Sequence, residues 1–193
     1  DAKKEIEDIN KKIYDHSDEK INKIYEEGKK ESLAYFEDVY KKLGTKFDYY
    51  FFESETGEMG KKIVLDNVPK VFEESDGAII FKGEKFDPSL HTRVFINSQG
   101  LPTYEAKDLG NAKNKFDKYP YDLSVVVTGN EIREYFKVVL EAMKQVLPDL
   151  AKKTKHISHG MLKLPTGKMS SRTGTIIPAV DLIEQVKEKV KGD

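Results

Sequence analysis

The sequence predicts an α/β fold with a parallel sheet, preceded by an N-terminal helical segment. First, residues 2–43 place apolar side chains three and four positions apart, which is the period of an amphipathic helix. Second, residues 123–128 form a short run rich in β-branched residues, which is typical of a strand buried on both faces. Third, helices and strands are predicted to alternate after residue 103, an order typical of a parallel sheet.

The N-terminal segment is predicted to contain two helices. Three isoleucines between positions 6 and 13 lie on one helical face, and Ser17 or Asp18 can begin the second helix as its N-cap. Gly44 is placed to end that helix, because glycine readily adopts the left-handed conformation that closes many helices. A coiled-coil arm is an alternative, although the apolar pattern covers few clean heptads.

The middle of the chain is predicted to consist mainly of strands. Residues 47–53, which are rich in aromatic side chains, predict a strand, and residues 55–60 predict a loop. Two further strands are predicted at 77–82 and 92–97, because turn-forming residues separate and follow these apolar runs.

The last part of the chain is predicted to alternate between helix and strand around the run at 123–128. Thr103 can cap a helix that runs to about residue 119, and a helix over 131–147 is expected to stop before Pro148. Residues 156–162 predict a further strand, and residues 181–191 predict a closing helix.

Composition excludes several classes of site. The chain has 193 residues, with 33 lysines and arginines, 34 aspartates and glutamates, and no cysteine. The absence of cysteine excludes disulfide bonds, Cys-zinc sites and thiol nucleophiles. The longest apolar runs are far shorter than the ~20 residues of a membrane-spanning helix, so no membrane partner is expected.

Charge is distributed unevenly along the chain. Residues 1–50 contain 11 basic and 13 acidic residues, a net charge of −2, whereas residues 152–193 contain 9 and 4, a net charge of +5. A basic end suits a polyanion such as a nucleotide or RNA. A solvated surface with lysine-rich helix ends explains the same charge, so both interpretations stay open.

The strongest local motif is Lys-Met-Ser-Ser-Arg at residues 168–172, which lies between Gly167 and Gly174. Lysine offers a point charge and arginine a forked donor, while hydroxyls and backbone N–H groups supply further hydrogen bonds to phosphate. Such a loop can stabilise the charge that builds on a pyrophosphate leaving group. A surface turn of small polar residues is the alternative that composition alone favours.

Three other groups of residues bear on function. Tyr104 and Asp108 lie four residues apart on a predicted helix and therefore share one face. An aspartate there can pair with a cationic ligand, although an exposed helix carboxylate is the simpler interpretation. Residues 129–131 follow a predicted strand, at the carboxyl end where open α/β sheets place ligands. Residues 159–161 lie in a predicted strand that leads into the loop at 168–172.

Together these segments resemble arginyl-tRNA synthetase, a class I aminoacyl-tRNA synthetase, from about residue 36 to residue 186. The motifs that carry the resemblance are, in order, Phe51-Phe52-Glu53-Ser54-Glu55, Thr103-Tyr104 with Asp108, residues 125–131, His159-Gly160-Met161 and Lys168-Met169-Ser170. The resemblance implies the second half of a Rossmann-like nucleotide-binding fold, with a parallel sheet, over residues 46–193. Residues 1–45 are then expected to form a helical connective segment.

The resemblance also implies a reaction in two steps. The arginine carboxylate attacks the α-phosphorus of ATP, which gives arginyl-adenylate and pyrophosphate, and a terminal ribose hydroxyl of tRNA then takes the arginyl group. The expected partners are therefore ATP, L-arginine, the tRNA for arginine and the other half of the catalytic domain. Mg²⁺ is expected to accompany ATP, no protein-bound metal site is expected, and the expected location is the cytoplasm.

Specific roles follow from the same resemblance. The residues implied in catalysis are Lys168, Ser170 and Arg172. Those implied in ATP binding are His159, Gly160, Met161, Lys168, Met169, Ser170 and Ser171. Those implied in arginine binding are Tyr104, Asp108, Asn130 and Glu131, with Asp108 paired to the guanidinium group. A planar guanidinium fork also matches a carboxylate on physical grounds.

The sequence departs from the family pattern at several positions. Ser171 stands where the class loop usually has a second lysine, and Ile132 and Tyr135 stand where the family often has glutamine and histidine. The His-x-Gly-His motif of class I synthetases is absent, as is the helical anticodon-binding domain. We therefore expect either a fragment that is inactive alone or a truncated paralogue that acts as a non-catalytic nucleotide-, RNA- or partner-binding module. An enzyme of the same superfamily with another amino acid as substrate is a further alternative.

Overall fold

The structure, a computed structural model, describes residues 1–161, 163–164, 167–168 and 177–191. The chain divides into two compact units, one formed by Asp1–Tyr49 with Lys163–Asp193 and the other by Tyr50–Leu162. The candidate site described below lies in the second unit.

Seven α-helices and seven β-strands follow one another in the described residues. They are α1 (Ala2–Asp15), α2 (Glu19–Leu43), α3 (Glu53–Leu65), β1 (Glu73–Ser75), β2 (Ala78–Lys82), β3 (Thr92–Ile96), α4 (Tyr104–Lys118), β4 (Ser124–Gly129), α5 (Arg133–Val146), α6 (Pro148–Lys153), β5 (Thr154–His159), β6 (Lys163–Leu164), β7 (Gly167–Lys168) and α7 (Ala179–Lys191). Across the parts of the chain that the structure covers, no helix is both long enough and apolar enough to cross a membrane.

The first unit contains the two predicted N-terminal helices. Asp18 is the N-cap of α2, because its side chain accepts a hydrogen bond of 3.1 Å from the backbone N–H of Ile21. Gly44 ends α2 in the left-handed conformation, with φ of 66°. In the same unit, β6 pairs antiparallel with β7, and α7 is the last described element.

The second unit combines a three-stranded antiparallel sheet with a parallel strand pair. The antiparallel sheet has the order β1-β2-β3, and β4 pairs in parallel with β5 from Ser124 opposite Thr154 to Gly129 opposite His159. Helix α5 ends at Val146, and Pro148 becomes the first residue of α6, where its missing N–H costs nothing. The predicted α/β fold with parallel strands is confirmed.

Aromatic side chains form the centre of the core of the second unit. Phe72, Phe81 and Phe95 are fully buried, and the ring centroids of Phe72 and Phe95 lie 5.0 Å apart. Helix α4 contributes Ala106 and Leu109 to the same cluster. Because each fully buried large apolar side chain contributes about 1.5–3 kcal/mol, this cluster fixes α4 against the antiparallel sheet.

Glycines bring α3 and α4 into direct backbone contact. A Cβ atom at Gly60 would stand 1.9 Å from the carbonyl oxygen of Ala106, and one at Gly110 would stand 2.0 Å from that of Thr56. No side chain fits in either gap, so the two helices approach more closely than larger residues permit. This contact holds the helix that carries Asp108 at a fixed distance from α3.

The prediction of a strand at 47–53 and a loop at 55–60 is wrong. No strand is formed at 47–52, and α3 begins at Glu53 and runs through the whole of 55–60. The aromatic run suggested a strand, and Gly57 with Gly60 suggested a loop. In the folded chain these glycines serve packing, because they face α4 and its flanking segment, and this tertiary contact overrides their low helix propensity.

The prediction that both faces of the strand at 123–128 are buried is also wrong. Ser124 is buried, but Val125 and Val127 keep 45% and 62% of their surface exposed. Among the described residues, covering side chains lie on one side of β4 only. The valine-rich run therefore predicted the strand correctly but its burial incorrectly. Both faces of a parallel strand are buried only when a layer of side chains covers each face.

Candidate functional site

The candidate site is built on helix α4, whose start is fixed by Thr103. The helix begins directly after Thr103, as predicted, but the threonine hydroxyl does not cap it. Instead Thr103 Oγ1 donates to the carbonyl oxygens of Val94, at 2.8 Å, and Phe95, at 3.1 Å. These bonds connect the start of α4 to β3, so the first turns of the helix, which carry Tyr104 and Asp108, are held in a fixed position.

Two cavities lie on either side of Asp108. The sheet-side cavity, of about 230 Å³, lies between α4, β4 and α5, and the polar groups that line it are Asp108, Asn111, Lys115 and Thr154. The α3-side cavity, of about 190 Å³, is lined by Phe51, Glu53, Thr56, Tyr104, Lys107, Asp108 and Asn111. Both volumes are below the ~300–1,000 Å³ of typical ligand pockets, so each suits a side-chain-sized group.

Asp108 is a partly buried carboxylate with a defined partner. Tyr135 Oη donates a hydrogen bond of 2.5 Å to Asp108 Oδ2. Removal from water raises the pKa of Asp108 above its ordinary value, while the Tyr135 bond and the positive charge of Lys115 oppose that rise. Burial and the Asp108 charge also raise the pKa of Tyr135, so its hydroxyl stays protonated and keeps donating.

Tyr135 is itself in contact with Arg93, which forms an ion pair with Glu105. The guanidinium carbon of Arg93 lies 5.1 Å from the centroid of the Tyr135 ring. Arg93 Nη1 donates to Oε1 of the buried Glu105 at 2.9 Å. Strand β3, helix α4 and helix α5 each contribute to this chain of contacts, which fixes the orientation of the Asp108 carboxylate.

Lys115 brings a positive charge to the sheet-side cavity. Burial lowers the pKa of Lys115, and Asp108 acts in the opposite direction. Its ammonium group donates to Ser124 Oγ at 2.9 Å. The cavity therefore holds one carboxylate and one ammonium group, two helical turns apart on α4, above an apolar wall.

Asn111 is the unsatisfied polar group of the site. It lies one turn after Asp108 on α4 and lines both cavities. Its Oδ1 atom is buried, and no hydrogen-bond donor in the described residues reaches it. An unsatisfied buried acceptor costs about 1–3 kcal/mol, so this oxygen favours any ligand that brings a donor.

We expect the substitution Tyr135→Phe to raise the pKa of Asp108. The tyrosine bond stabilises the ionised carboxylate, and hydrogen bonds to charged groups contribute about 1.5–3 kcal/mol. A ¹³C NMR titration of the Asp108 carboxyl carbon in the wild type and the variant measures the effect. The matched variant Tyr25→Phe, on α2, should leave the pKa of Asp108 unchanged. An unchanged pKa of Asp108 in Tyr135→Phe would contradict the account.

The carboxyl ends of β4 and β5 form a second polar region. Gly129 lies opposite His159 in the strand pairing, and a Cβ atom at Gly129 would stand 2.6 Å from Met161 Sδ. His159 Nδ1 lies 2.7 Å from the carbonyl oxygen of Gly160. The structure thus brings residues 159–161 beside the turn that follows β4.

Not all predicted site residues meet in the structure. Asn130 and Glu131 lie in an exposed 3₁₀ turn after β4 and line neither cavity. Of the predicted phosphate loop, Lys168 ends the short strand β7 in the first unit. Met169, Ser170, Ser171 and Arg172 lie outside the described residues.

A metal site has no candidate in the residues that the structure describes. No group of three or more His, Asp or Glu side chains there is placed to hold a metal ion, and the sequence has no cysteine.

Sequence patterns did not indicate Asn111, Lys115 or Arg93 as site residues. The helical period places residues 108, 111 and 115 on one face, so Asn111 and Lys115 could have been found from the position of Asp108. Arg93 had no such signal, because its position beside Tyr135 depends on how β3 packs against α4 and α5.

Comparison with known proteins decides the family. Residues 2–192 match the family described as tRNA synthetases class I (R), catalytic domain. The chain belongs to this family. The arginyl class I synthetase resemblance of the sequence is thereby confirmed.

Among curated proteins, the chain is similar to arginine--tRNA ligases. It is 31% identical over 180 residues to that of Bacteroides thetaiotaomicron, covering 92% of this chain and 30% of the relative. It is 31% identical over 196 residues to that of Borreliella burgdorferi, covering 98% of this chain and 33% of the relative. The chain thus spans about a third or less of the curated relatives it matches.

Solved arginyl-tRNA synthetase structures share the fold. The enzyme from Plasmodium falciparum superposes with a TM-score of 0.72 at 19% identity, covering 93% of this chain and 29% of that chain. The one from Thermus thermophilus gives 0.54 at 21% identity, covering 77% of this chain and 31% of that chain. These likenesses confirm the predicted class I catalytic-domain fold.

Proposed function

We propose that this chain supplies the amino-acid-recognition part of an ATP-dependent arginine--tRNA ligase. The observation that carries the proposal is the carboxylate of Asp108, which is partly buried, oriented by Tyr135 and flanked by two side-chain-sized cavities. Membership of the synthetase family and similarity to arginine--tRNA ligases support it.

In this proposal Asp108 pairs with the guanidinium group of L-arginine. The guanidinium fork matches a carboxylate with two parallel N–H···O bonds, which the single point charge of lysine cannot reproduce. Tyr104 and Glu53 line the α3-side cavity with Asp108, and Glu53 Oε2 there accepts a hydrogen bond of 2.8 Å from Lys107 Nζ. Asn130 and Glu131, in the turn that follows β4, are also proposed to bind arginine, where they compensate for Ile132 and Tyr135 in the polar part of the pocket.

ATP is proposed to bind at the carboxyl ends of β4 and β5. There residues 159–161 would line the adenine pocket, largely through backbone groups, in line with the general rule for open α/β sheets. The arginine carboxylate attacks the α-phosphorus, the bond from that phosphorus to the oxygen bridging the β-phosphate breaks, and pyrophosphate leaves. Lys168, Ser170 and Arg172, with Met169 and Ser171, are proposed to stabilise the triphosphate charge, with Mg²⁺ accompanying ATP.

Several further proposals concern the whole protein. The chain spans about 30% of relatives such as the Bacteroides thetaiotaomicron enzyme. We propose that it contacts the remaining part of the catalytic domain and the tRNA for arginine. Residues 1–45 are proposed as a connective helical segment, and residues 46–193 as the second half of the catalytic domain. A cytoplasmic location is likewise proposed.

The test is amino-acid-dependent ATP–pyrophosphate exchange. The protein is prepared at the full length that its gene encodes and, separately, as these 193 residues. We expect exchange with L-arginine and not with L-lysine or L-citrulline in the encoded protein. We expect no measurable exchange in the 193-residue form, because it lacks a His-x-Gly-His motif to contact the phosphates.

Two results contradict the proposal. Exchange that depends on another amino acid assigns the chain to a different specificity within the superfamily. Absence of exchange at the full encoded length, together with retained binding of ATP or RNA, favours a non-catalytic binding module.

A further inference from the structure

We propose that Asn111 is a specificity-determining residue of the arginine pocket and that its Oδ1 accepts a hydrogen bond from the guanidinium group. This inference rests on the proposed arginine site at Asp108. It adds a residue that neither the family motifs nor the helix pair Tyr104 and Asp108 indicate.

The position of Asn111 places it beside any group that reaches Asp108. Asn111 follows Asp108 by three residues on α4, so the two side chains occupy the same helix face. Both residues line the sheet-side cavity and the α3-side cavity. A group that enters either cavity and contacts Asp108 is therefore next to Asn111.

The balance of donors and acceptors supports the same role. A guanidinium group carries five N–H donors and no acceptor. Oδ2 of Asp108 already accepts the Tyr135 hydroxyl, which leaves the carboxylate less capacity for the ligand. Asn111 Oδ1 is a buried acceptor that no donor in the described residues reaches, so it can take an N–H that Asp108 does not.

Neighbouring side chains in the described residues leave the Asn111 oxygen to the ligand. Two cations line the cavities with Asn111, and each has another partner. Lys115 donates to Ser124 Oγ at 2.9 Å, and Lys107 donates to Glu53 Oε2 at 2.8 Å. Phe136 and Val139, which line the sheet-side cavity beside Asn111, bring no side-chain donor. The pattern of one carboxylate and one amide oxygen suits a planar, donor-rich cation better than a compact ammonium ion.

The test compares Asn111→Leu with the matched variant Asn114→Leu in the encoded protein. Asn114 lies on the same helix and lines neither cavity. In arginine-dependent ATP–pyrophosphate exchange, we expect Asn111→Leu to raise the arginine KM about tenfold. We expect the kcat and the ATP KM to change less than about twofold, and Asn114→Leu to match the wild type.

A second measurement avoids any effect of the substitution on folding. In the wild type, the ¹³Cγ resonance of Asn111 is followed by NMR as L-arginine is added. We expect a shift that saturates with arginine and is absent with L-citrulline, which has a neutral urea group. An unmoved Asn111 resonance in a protein that binds arginine overturns the inference, as does an Asn111→Leu variant that behaves like Asn114→Leu.

Failure of this inference is distinguishable from failure of the proposed function. If the function is wrong, the wild type shows no arginine-dependent exchange. If only the role of Asn111 is wrong, the wild type exchanges, Asp108→Asn loses arginine affinity, and Asn111→Leu retains it.

Discussion

The substitution Asp108→Asn is expected to raise the arginine KM about 100-fold and to leave the ATP KM within about twofold. Removing one partner of a partly buried charge pair leaves the guanidinium cation uncompensated, at a cost of about 3 kcal/mol. The asparagine also offers a single oxygen to a fork that binds two. Steady-state ATP–pyrophosphate exchange with varied arginine measures the effect in the encoded protein.

The matched control is Asp117→Asn, near the end of the same helix, where the carboxylate pairs with Lys113 and is 49% exposed. Because solvent screens such pairs, this variant should leave both KM values unchanged. An Asp108→Asn variant with unaltered arginine KM and impaired ATP binding would assign Asp108 to the nucleotide site.

Asp108→Asn should also be more stable than the wild type, which separates loss of binding from loss of folding. Burial raises the pKa of Asp108 in the folded state, so the folded chain binds this proton more tightly than the unfolded chain. The free energy of unfolding therefore falls as pH rises from the unfolded pKa through the raised folded pKa. The asparagine side chain does not titrate, so we expect urea unfolding to give a higher free energy of unfolding for the variant than for the wild type at pH 7, and a smaller difference at pH 4.

The substitution Gly110→Ala is expected to lower the free energy of unfolding by about 3 kcal/mol. A Cβ atom at this position would stand 2.0 Å from the Thr56 carbonyl oxygen and 2.6 Å from the Gly60 backbone nitrogen. Backbone atoms cannot turn aside as a flexible side chain can, so α3 and α4 must separate. Urea unfolding followed by circular dichroism measures the loss.

The control is Gly28→Ala, inside α2, where a Cβ atom would meet nothing within 4 Å. Alanine has the higher helix propensity, so this variant should gain about 0.5–1 kcal/mol or stay neutral. If Gly110→Ala unfolds at the same urea concentration as the wild type, the close contact between α3 and α4 does not exist as described.

The sequence correctly predicted those elements whose capping and turn residues have the same structural role in the folded chain as they suggest locally. Helix α2 has an N-cap aspartate and a glycine that ends it, and both signals correspond to observed hydrogen bonds and dihedral angles. The segment at 53–60 was mispredicted because its glycines suggest a loop locally and serve helix packing globally. The close approach of α4 to Gly60 accounts for the glycine inside this helix.

The part of the candidate site that lies on one helix was predictable from the sequence, and the part that depends on long-range packing was not. Tyr104 and Asp108 share a helix face, and spacing alone shows this. The bond from Tyr135 to Asp108 joins residues 27 positions apart, on α5 and α4, so it depends on packing that no local pattern reports. Asn111 looks like an ordinary exposed helix residue in sequence, and only its buried, unsatisfied oxygen marks it.

The central claim, that α4 recognises a guanidinium group, is tested most directly by a crystal structure of the encoded protein with L-arginine. We predict guanidinium nitrogens within about 3 Å of the Asp108 carboxylate oxygens, with a further N–H directed at Asn111 Oδ1. The Tyr135 hydroxyl should remain bonded to Asp108. An arginine bound with its guanidinium group away from Asp108, or an Asp108 carboxylate that contacts only protein atoms in the complex, would contradict the account.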